Sequence, residues 1–145
     1  MLINQNMIAY CGLYCPQCSF RPAHATGDPA HVEAIPERYS KAKNQPVSEY
    51  ACGGCKQDDF CGPCAMRDCA AAQDFVSCAD CASFPCDKTD TFAQDGVLHH
   101  ANAFANLMRI REVGYEAWGQ EMEAMLFCEC GSRQSWYLPC SKHKV

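Results

Sequence analysis

Cysteine is the residue type that this sequence offers most clearly for chemistry. The chain has 14 cysteines among its 145 residues, several times the ordinary usage of this residue. Two thiols three residues apart can bind one tetrahedral ion from a single tight turn. Four such C-x-x-C pairs are present, at Cys15/Cys18, Cys52/Cys55, Cys61/Cys64 and Cys78/Cys81. Their recurrence predicts metal binding, because buried cysteines that act only as small apolar residues do not adopt this spacing.

Three further cysteines lie outside these pairs, and each of them could complete a metal site. They are Cys11, Cys69 and Cys86. The cysteines up to residue 86 suffice for two four-cysteine sites with thiols left over, or for three sites with one other ligand. His24 and His31 are candidates for that other ligand. We therefore expect two to three zinc ions, and the sequence leaves open which cysteines share a site.

A separate cluster of candidate ligands lies near the C-terminal end of the sequence. Its spacing is Cys128-x-Cys130-x9-Cys140-x2-His143, which offers three thiolates and one imidazole in the manner of a zinc ribbon. Gly131 permits a turn after the first pair. We expect this cluster to form a compact site of its own.

Zinc is the metal that we expect, and iron–sulfur clusters are the main alternative because cysteine thiolates hold both. The C-x2-C-x2-C-x3-C-P run of bacterial ferredoxins is absent, whereas separate C-x-x-C pairs are typical of zinc knuckles. A redox or electron-transfer protein with iron–sulfur clusters therefore stays an alternative. Another is a thiol redox sensor, in which surplus cysteines such as Cys61 or Cys69 oxidise and release zinc.

Charge and composition limit which partners and which cellular compartment we expect for this chain. The chain has 12 basic and 17 acidic residues, a formal net charge of −5, and each four-thiolate zinc site would add about −2. A nucleic-acid partner is therefore not expected. The sequence has neither a long apolar run nor a secretory signal, so we expect a cytoplasmic protein without a membrane segment, in which clustered thiols bind metal. A secreted disulfide scaffold is the alternative.

Catalytic signatures are not found in the sequence. It contains no Ser-His-Asp set, phosphate-binding loop or Gly-rich nucleotide fingerprint, so no catalytic residue and no organic cofactor is assigned. Structural zinc sites are coordinatively full, whereas catalytic sites keep one position open. We expect a structural zinc-binding protein that acts in interaction or regulation without catalysis of its own, with a protein partner that the sequence does not identify.

The elements that must position these ligands are mostly helical. Residues 65–73 favour a short helix by composition. Residues 89–126 predict a helical hairpin, with a first helix from Thr89 or Asp90 to Gly114 and a second over about 115–126. We expect a small, irregular, mostly α domain over 1–126 that metal ions staple together, followed by a ribbon-like tail over 127–145. Because the cysteine-rich half has few large apolar residues, 11–86 should be largely unfolded without metal.

Several motifs together resemble one known family. They are Ala9-Tyr10-Cys11-Gly12-Leu13-Tyr14-Cys15-Pro16-Gln17-Cys18, Cys52-Gly53-Gly54-Cys55, Cys64-Ala65-Met66-Arg67-Asp68-Cys69-Ala70, Cys78-Ala79-Asp80-Cys81-Ala82-Ser83-Phe84-Pro85-Cys86 and Asn106-Leu107-Met108-Arg109-Ile110-Arg111-Glu112-Val113-Gly114. Over roughly residues 8–120 the chain resembles the small, cysteine-rich prokaryotic family known as domain of unknown function 3795. The resemblance implies a zinc-binding cytoplasmic protein with no established activity. Some members continue into a ribbon with two C-x-x-C knuckles, and the C-terminal cluster lies at the corresponding place with one spacing and one ligand changed.

Overall fold

A computed structural model describes residues 3–19, 54, 56 and 64–135 of the chain. Within these residues lie four α-helices and no β-strand. The helices are α1 (Ala65–Ala72), α2 (Asp87–Ala93), α3 (Leu98–Val113) and α4 (Tyr115–Ala124). The prediction of a small, mostly helical fold is confirmed for this part of the chain. None of its helices has the length and apolar character needed to cross a membrane.

Helix α1 follows the short helix that composition predicts for residues 65–73. Cys64 is its N-cap, and the sulfur of Cys64 accepts the backbone N–H of Arg67 at 3.4 Å. The alanines of the helix have the highest helix propensity of any residue. The helix ends at Ala72, and Asp74 then adopts a positive φ of 58°.

The prediction of one helix from Thr89 or Asp90 to Gly114 is wrong, because the structure divides this region into α2 and α3. Cys86 is the N-cap of α2, which begins at Asp87. The break lies at Asp95 and Gly96, where Gly96 has a φ of +88° and the Asp95 carboxylate accepts the N–H of Val97 at 2.9 Å. Aspartate and glycine in sequence favour this kind of turn, and the turn interrupts the apolar periodicity.

The helical hairpin itself is present, formed by α3 and α4. Gly114 ends α3 as predicted, with a φ of +86° and its N–H bonded to the carbonyl of Ile110 at 2.7 Å. Across the hairpin, two guanidinium nitrogens of Arg109 donate to the Glu121 carboxylate at 2.6–3.2 Å. This pairing holds the pKa of Glu121 below its ordinary value.

The N-terminal residues pack against the hairpin and complete the core. Tyr14 makes an edge-to-face contact with the buried Trp118 at 5.6 Å between ring centroids, and its hydroxyl donates to Glu123. Gly12 lies directly on α3, where a Cβ at this position would meet the carbonyl oxygen of Ala103 at 2.5 Å. Only glycine therefore fits at this place. Gly12 also has a φ of +99°, a backbone conformation that favours glycine.

The segment after α4 returns to the N-terminal residues. Phe127 and Arg133 form an isolated antiparallel bridge, and Arg133 donates to the carbonyl of Pro16 at 3.0 Å. The hydroxyl of Ser19 donates to that of Ser135 at 2.8 Å, and both serines are buried. The described residues of the C-terminal segment therefore contact the first cysteine turn.

Candidate metal centre

Five free thiols lie in the segment between residues 64 and 86. They belong to Cys64, Cys69, Cys78, Cys81 and Cys86. Four of these side chains, all except Cys64, line one cavity of about 30 Å³. That volume corresponds to about two water-sized spheres.

Three short elements bring the four cysteines to the cavity. Helix α1 carries Cys69, and the N-cap position of α2 carries Cys86. Cys78 begins a 3₁₀ turn, Cys78–Asp80, and Cys81 ends it with its N–H bonded to the carbonyl of Cys78 at 3.2 Å. Ser77 caps this turn by accepting the N–H of Ala79 at 3.1 Å. The C-x-x-C spacing therefore forms the tight turn that it predicts.

The rest of the cavity wall is largely apolar. Met66, Phe75 and Phe84 contribute to it, and Lys88 adds one cationic side chain. Of the four cysteines, Cys78 is buried, Cys81 and Cys86 are partly buried and Cys69 is exposed, so the cavity lies at the edge of the apolar core.

The thiols of Cys78 and Cys86 differ in their electrostatic surroundings. Burial, followed by the repulsion of the neighbouring thiolates, raises the pKa of Cys78 to about 11. At Cys86, the N–H of Thr89 stabilises the thiolate most, and the Thr89 hydroxyl and Lys88 add to the effect, so that its pKa lies below the ordinary value. A cation in the cavity would offset the repulsion that raises the pKa of Cys78.

Hydrogen bonds from nearby donors reach four of the five sulfurs. The donor–sulfur pairs are Arg67 N–H to Cys64 at 3.4 Å, the Gln73 amide to Cys69 at 3.5 Å, Ser83 N–H to Cys81 at 3.4 Å and the Thr89 hydroxyl to Cys86 at 3.8 Å. Donors of this kind orient the sulfur, which is how residues around a metal site support its ligands.

The sulfurs share a cavity but do not converge on one point. Among the described residues, no group of three or more histidine, cysteine, aspartate or glutamate side chains has the arrangement needed to hold a metal ion. The backbone therefore brings four soft donors to one small space, and their side chains line it separately.

A comparison with family models identifies the family of the chain. Residues 7–91 match the model of a protein family described as "Protein of unknown function (DUF3795)". The chain belongs to the DUF3795 family. The match covers more than half of the chain and includes every cysteine of the cavity. No curated protein and no solved structure matches the chain significantly.

The first cysteine motif of the DUF3795 segment lies apart from the cavity. Cys15 is buried and begins a 3₁₀ turn, after which the N–H of Cys18 bonds to the carbonyl of Cys15 at 3.1 Å. A Cβ at Gly54 would lie 3.6 Å from the sulfur of Cys15. Cys11 follows Tyr10, whose carbonyl accepts the N–H of Cys78 at 2.9 Å, so this bond joins the first motif to the turn beside the cavity.

The C-terminal cluster lies beyond the DUF3795 match and is described only in its first half. Cys128 begins a turn that contains Cys130, and the N–H of Cys128 bonds to the carbonyl of Ser132 at 2.8 Å. Gly131 has a φ of +87°, as expected for a glycine that permits this turn. The remaining predicted ligands lie outside the described residues. They are Cys52, Cys55, Cys61, Cys140 and His143.

Three residues around the cavity cysteines were missed by reasoning from the sequence. Thr89 donates to Cys86, whereas Arg111 and Tyr115 contact the segment of Cys78 and Cys81 from the hairpin. The position of Thr89, three residues after Cys86, is that of a capping box and could have revealed it. Arg111 and Tyr115 had no such signal, because their contacts join segments about 30 residues apart in the sequence.

Proposed function

We propose that the DUF3795 segment of this protein binds a structural zinc ion through Cys69, Cys78, Cys81 and Cys86. The observation that carries this proposal is that these four side chains line the same small cavity. Four thiolates are a common ligand set for structural zinc and leave no coordination position for a substrate. The ion would draw together four donors that the backbone already brings to the same space.

The four donors match the ligand number of a single tetrahedral ion. They line a cavity of about 30 Å³. Neighbouring donors also orient the proposed ligands, because two N–H groups, of Gln73 and Ser83, and the hydroxyl of Thr89 point at their sulfurs.

A role in holding the fold follows from what surrounds the cavity. The buried residues of the segment include small side chains such as Ala70, Cys78 and Ala79, which supply little apolar area. Structural zinc contributes on the order of 10 kcal/mol to the folding of such a segment. In this proposal the protein acts in the cytoplasm as an interaction or regulatory protein, and zinc maintains the surface that a protein partner recognises.

Metal analysis of the wild-type chain tests the proposal. Protein purified without oxygen should contain zinc and show no visible absorption band. Iron with matching sulfide and a visible band would contradict it, as would a folded chain without metal.

Two serine variants test the ligand set. Cys81→Ser should lose one zinc ion per chain, because Cys81 lines the cavity. Cys64→Ser is the matched control, since Cys64 belongs to the same group of thiols but caps α1 outside the cavity lining. Loss of the same ion from Cys64→Ser would overturn the assignment of the four ligands.

A further inference from the structure

The loop that carries Cys78 and Cys81 is held from outside by the helical hairpin. We refer to residues 76–84 as the knuckle loop. Two side chains of the hairpin contact this loop, Arg111 from α3 and Tyr115 from α4. Neither side chain lines the cavity, so neither is a ligand candidate.

Tyr115 joins two polar side chains of the knuckle loop. Its hydroxyl lies 2.7 Å from the hydroxyl of Ser77 and donates to the Asp80 carboxylate at 3.0 Å. Ser77 is fully buried and precedes Cys78, whereas Asp80 precedes Cys81. The second oxygen of Asp80 accepts the N–H of Val76 at 2.9 Å. One hydroxyl thus bridges the residues that directly precede both cysteines.

Arg111 holds the other end of the same loop. Its guanidinium donates to the carbonyl of Phe84 at 2.9 Å and to that of Cys81 at 3.4 Å. The guanidinium also lies over the Phe84 ring, 5.6 Å from its centroid, in the arrangement of a cation–π contact. The loop is therefore fixed at its beginning and its end by separate side chains.

We infer that Tyr115 and Arg111 are positioning residues for the metal site, which keep Cys78 and Cys81 in place to ligate one ion. The inference rests on the proposed zinc binding and adds two residues that act through the ligands. Binding an ion costs conformational entropy when the loop must become ordered at the same time. A loop that is already held in its ligating shape avoids part of this cost, so it retains the ion longer. Residues in this position around a metal site affect affinity by about 10- to 100-fold.

A phenylalanine substitution removes the contact of Tyr115 and leaves its ring. We expect Tyr115→Phe to release one zinc ion about 10-fold faster than wild type when an excess of chromogenic chelator is added. Any other ion of the same chain should leave at the wild-type rate, which provides an internal control.

Tyr14→Phe is the matched control variant. The hydroxyl of the buried Tyr14 also bonds to a carboxylate, that of the exposed Glu123 in α4. The bond of Tyr14 links the N-terminal residues to the hairpin and does not reach the knuckle loop. Tyr14→Phe should therefore lower the melting temperature while the ion held by Cys69, Cys78, Cys81 and Cys86 leaves at the wild-type rate.

The possible outcomes separate the inference from the proposed function. Wild-type protein without zinc would overturn both. Zinc that leaves Tyr115→Phe and wild type at the same rate would overturn the inference alone, and so would equal acceleration in Tyr115→Phe and Tyr14→Phe. If Tyr115→Phe does not fold, Arg111→Lys decides in its place. That substitution keeps the positive charge but removes the planar fork, and unchanged release from it would overturn the inference.

Discussion

The hairpin of α3 and α4 and the cysteine segment from residue 64 to 86 differ in the side chains that fill their interiors. The hairpin buries large apolar side chains, among them Leu107, Ile110 and Trp118, each at most 4% exposed. The cysteine segment contains a cavity lined by four thiols, and its helix α1 has only eight residues. Large apolar side chains therefore dominate the interior of the first region, whereas in the second Met66 and Phe84 are buried beside a cavity lined by thiols.

This difference shows where an ion would contribute most. Fully burying a large apolar side chain contributes about 1.5–3 kcal/mol, and the hairpin has several of them. The cysteine segment has fewer of them, and four of its thiols surround a cavity. Under the proposed function, zinc stabilises the cysteine segment in the folded state, as apolar packing stabilises the hairpin.

Metal removal is the change with the largest expected effect on this comparison. Chelation should remove on the order of 10 kcal/mol of stabilisation per zinc site, and this loss should fall on the cysteine segment. Hydrogen exchange measured by mass spectrometry should show loss of protection in peptides from 64–86, with much smaller changes in peptides from 98–124. Equal loss of protection in both regions would contradict the expectation that zinc stabilises mainly the cysteine segment.

Leu107→Ala should produce the opposite pattern. Leu107 is 1% exposed and belongs to the main core, so its truncation should lower the free energy of unfolding by about 2–5 kcal/mol. Denaturant titration of the zinc-loaded protein measures this loss, and the rate of zinc release should stay the same.

Met108→Ala is the matched control for Leu107→Ala. Met108 is the next residue of the same helix and is 49% exposed. Its truncation should change the free energy of unfolding by less than about 0.5 kcal/mol. Similar losses in both variants would mean that α3 is not held by its buried face.

Gly12→Ala tests the contact between the first cysteine motif and the hairpin. The new Cβ would meet the backbone of Ala103, and the positive φ of Gly12 adds strain. We expect a loss of about 2–3 kcal/mol in denaturant titration. Gly96→Ala is the control, because Gly96 has a similar φ but a Cβ there meets nothing within 4 Å. If both variants lose the same stability, the close approach of Gly12 to α3 is not a constraint.

Glu121→Gln should have the smallest effect. Glu121 links α4 to Arg109, but both side chains are 42% exposed, so solvent screens their attraction. We expect the melting temperature to fall by about 1–2 °C at pH 7. Because the pKa of Glu121 is lowered in the folded protein, its contribution is present above the unfolded pKa of about 4.3. It disappears as the pH falls through the lower folded pKa.

The melting temperatures of wild type and Glu121→Gln should therefore converge at acidic pH, when helical circular dichroism follows unfolding. Glu112→Gln is the control, since Glu112 pairs with Arg109 within α3 at 2.9 Å and does not join the two helices. A larger effect from Glu112→Gln would indicate that the link between the helices contributes little.

Local signals in the sequence predicted a substantial part of this fold. The alanine-rich stretch after Cys64 predicted α1, and Gly114 predicted the end of α3. The C-x-x-C spacing of Cys78 and Cys81 predicted a tight turn. Each of these features depends on residues within a few positions of one another, which is the range over which propensity and spacing operate.

Other features depended on interactions that the sequence does not display locally. Phe92 and Leu98 belong to an apolar repeat that continues across Asp95. The prediction of a single helix followed this repeat and gave less weight to the turn that Asp95 favours. The grouping of Cys69 with Cys78 and Cys86 is set by the packing of α1 against α2. Which cysteines bind a metal ion, and which metal that is, stay predictions.

The buried hydrogen bond between Ser19 and Ser135 also bears on how the chain is synthesised. The two residues are 116 positions apart, and ribosomes add about 5–20 residues per second. The first cysteine turn therefore waits about 6–23 s for the segment that contacts it. During that interval Cys15 and Cys18 are already part of the nascent chain, but the contact of their turn with Ser135 cannot yet form.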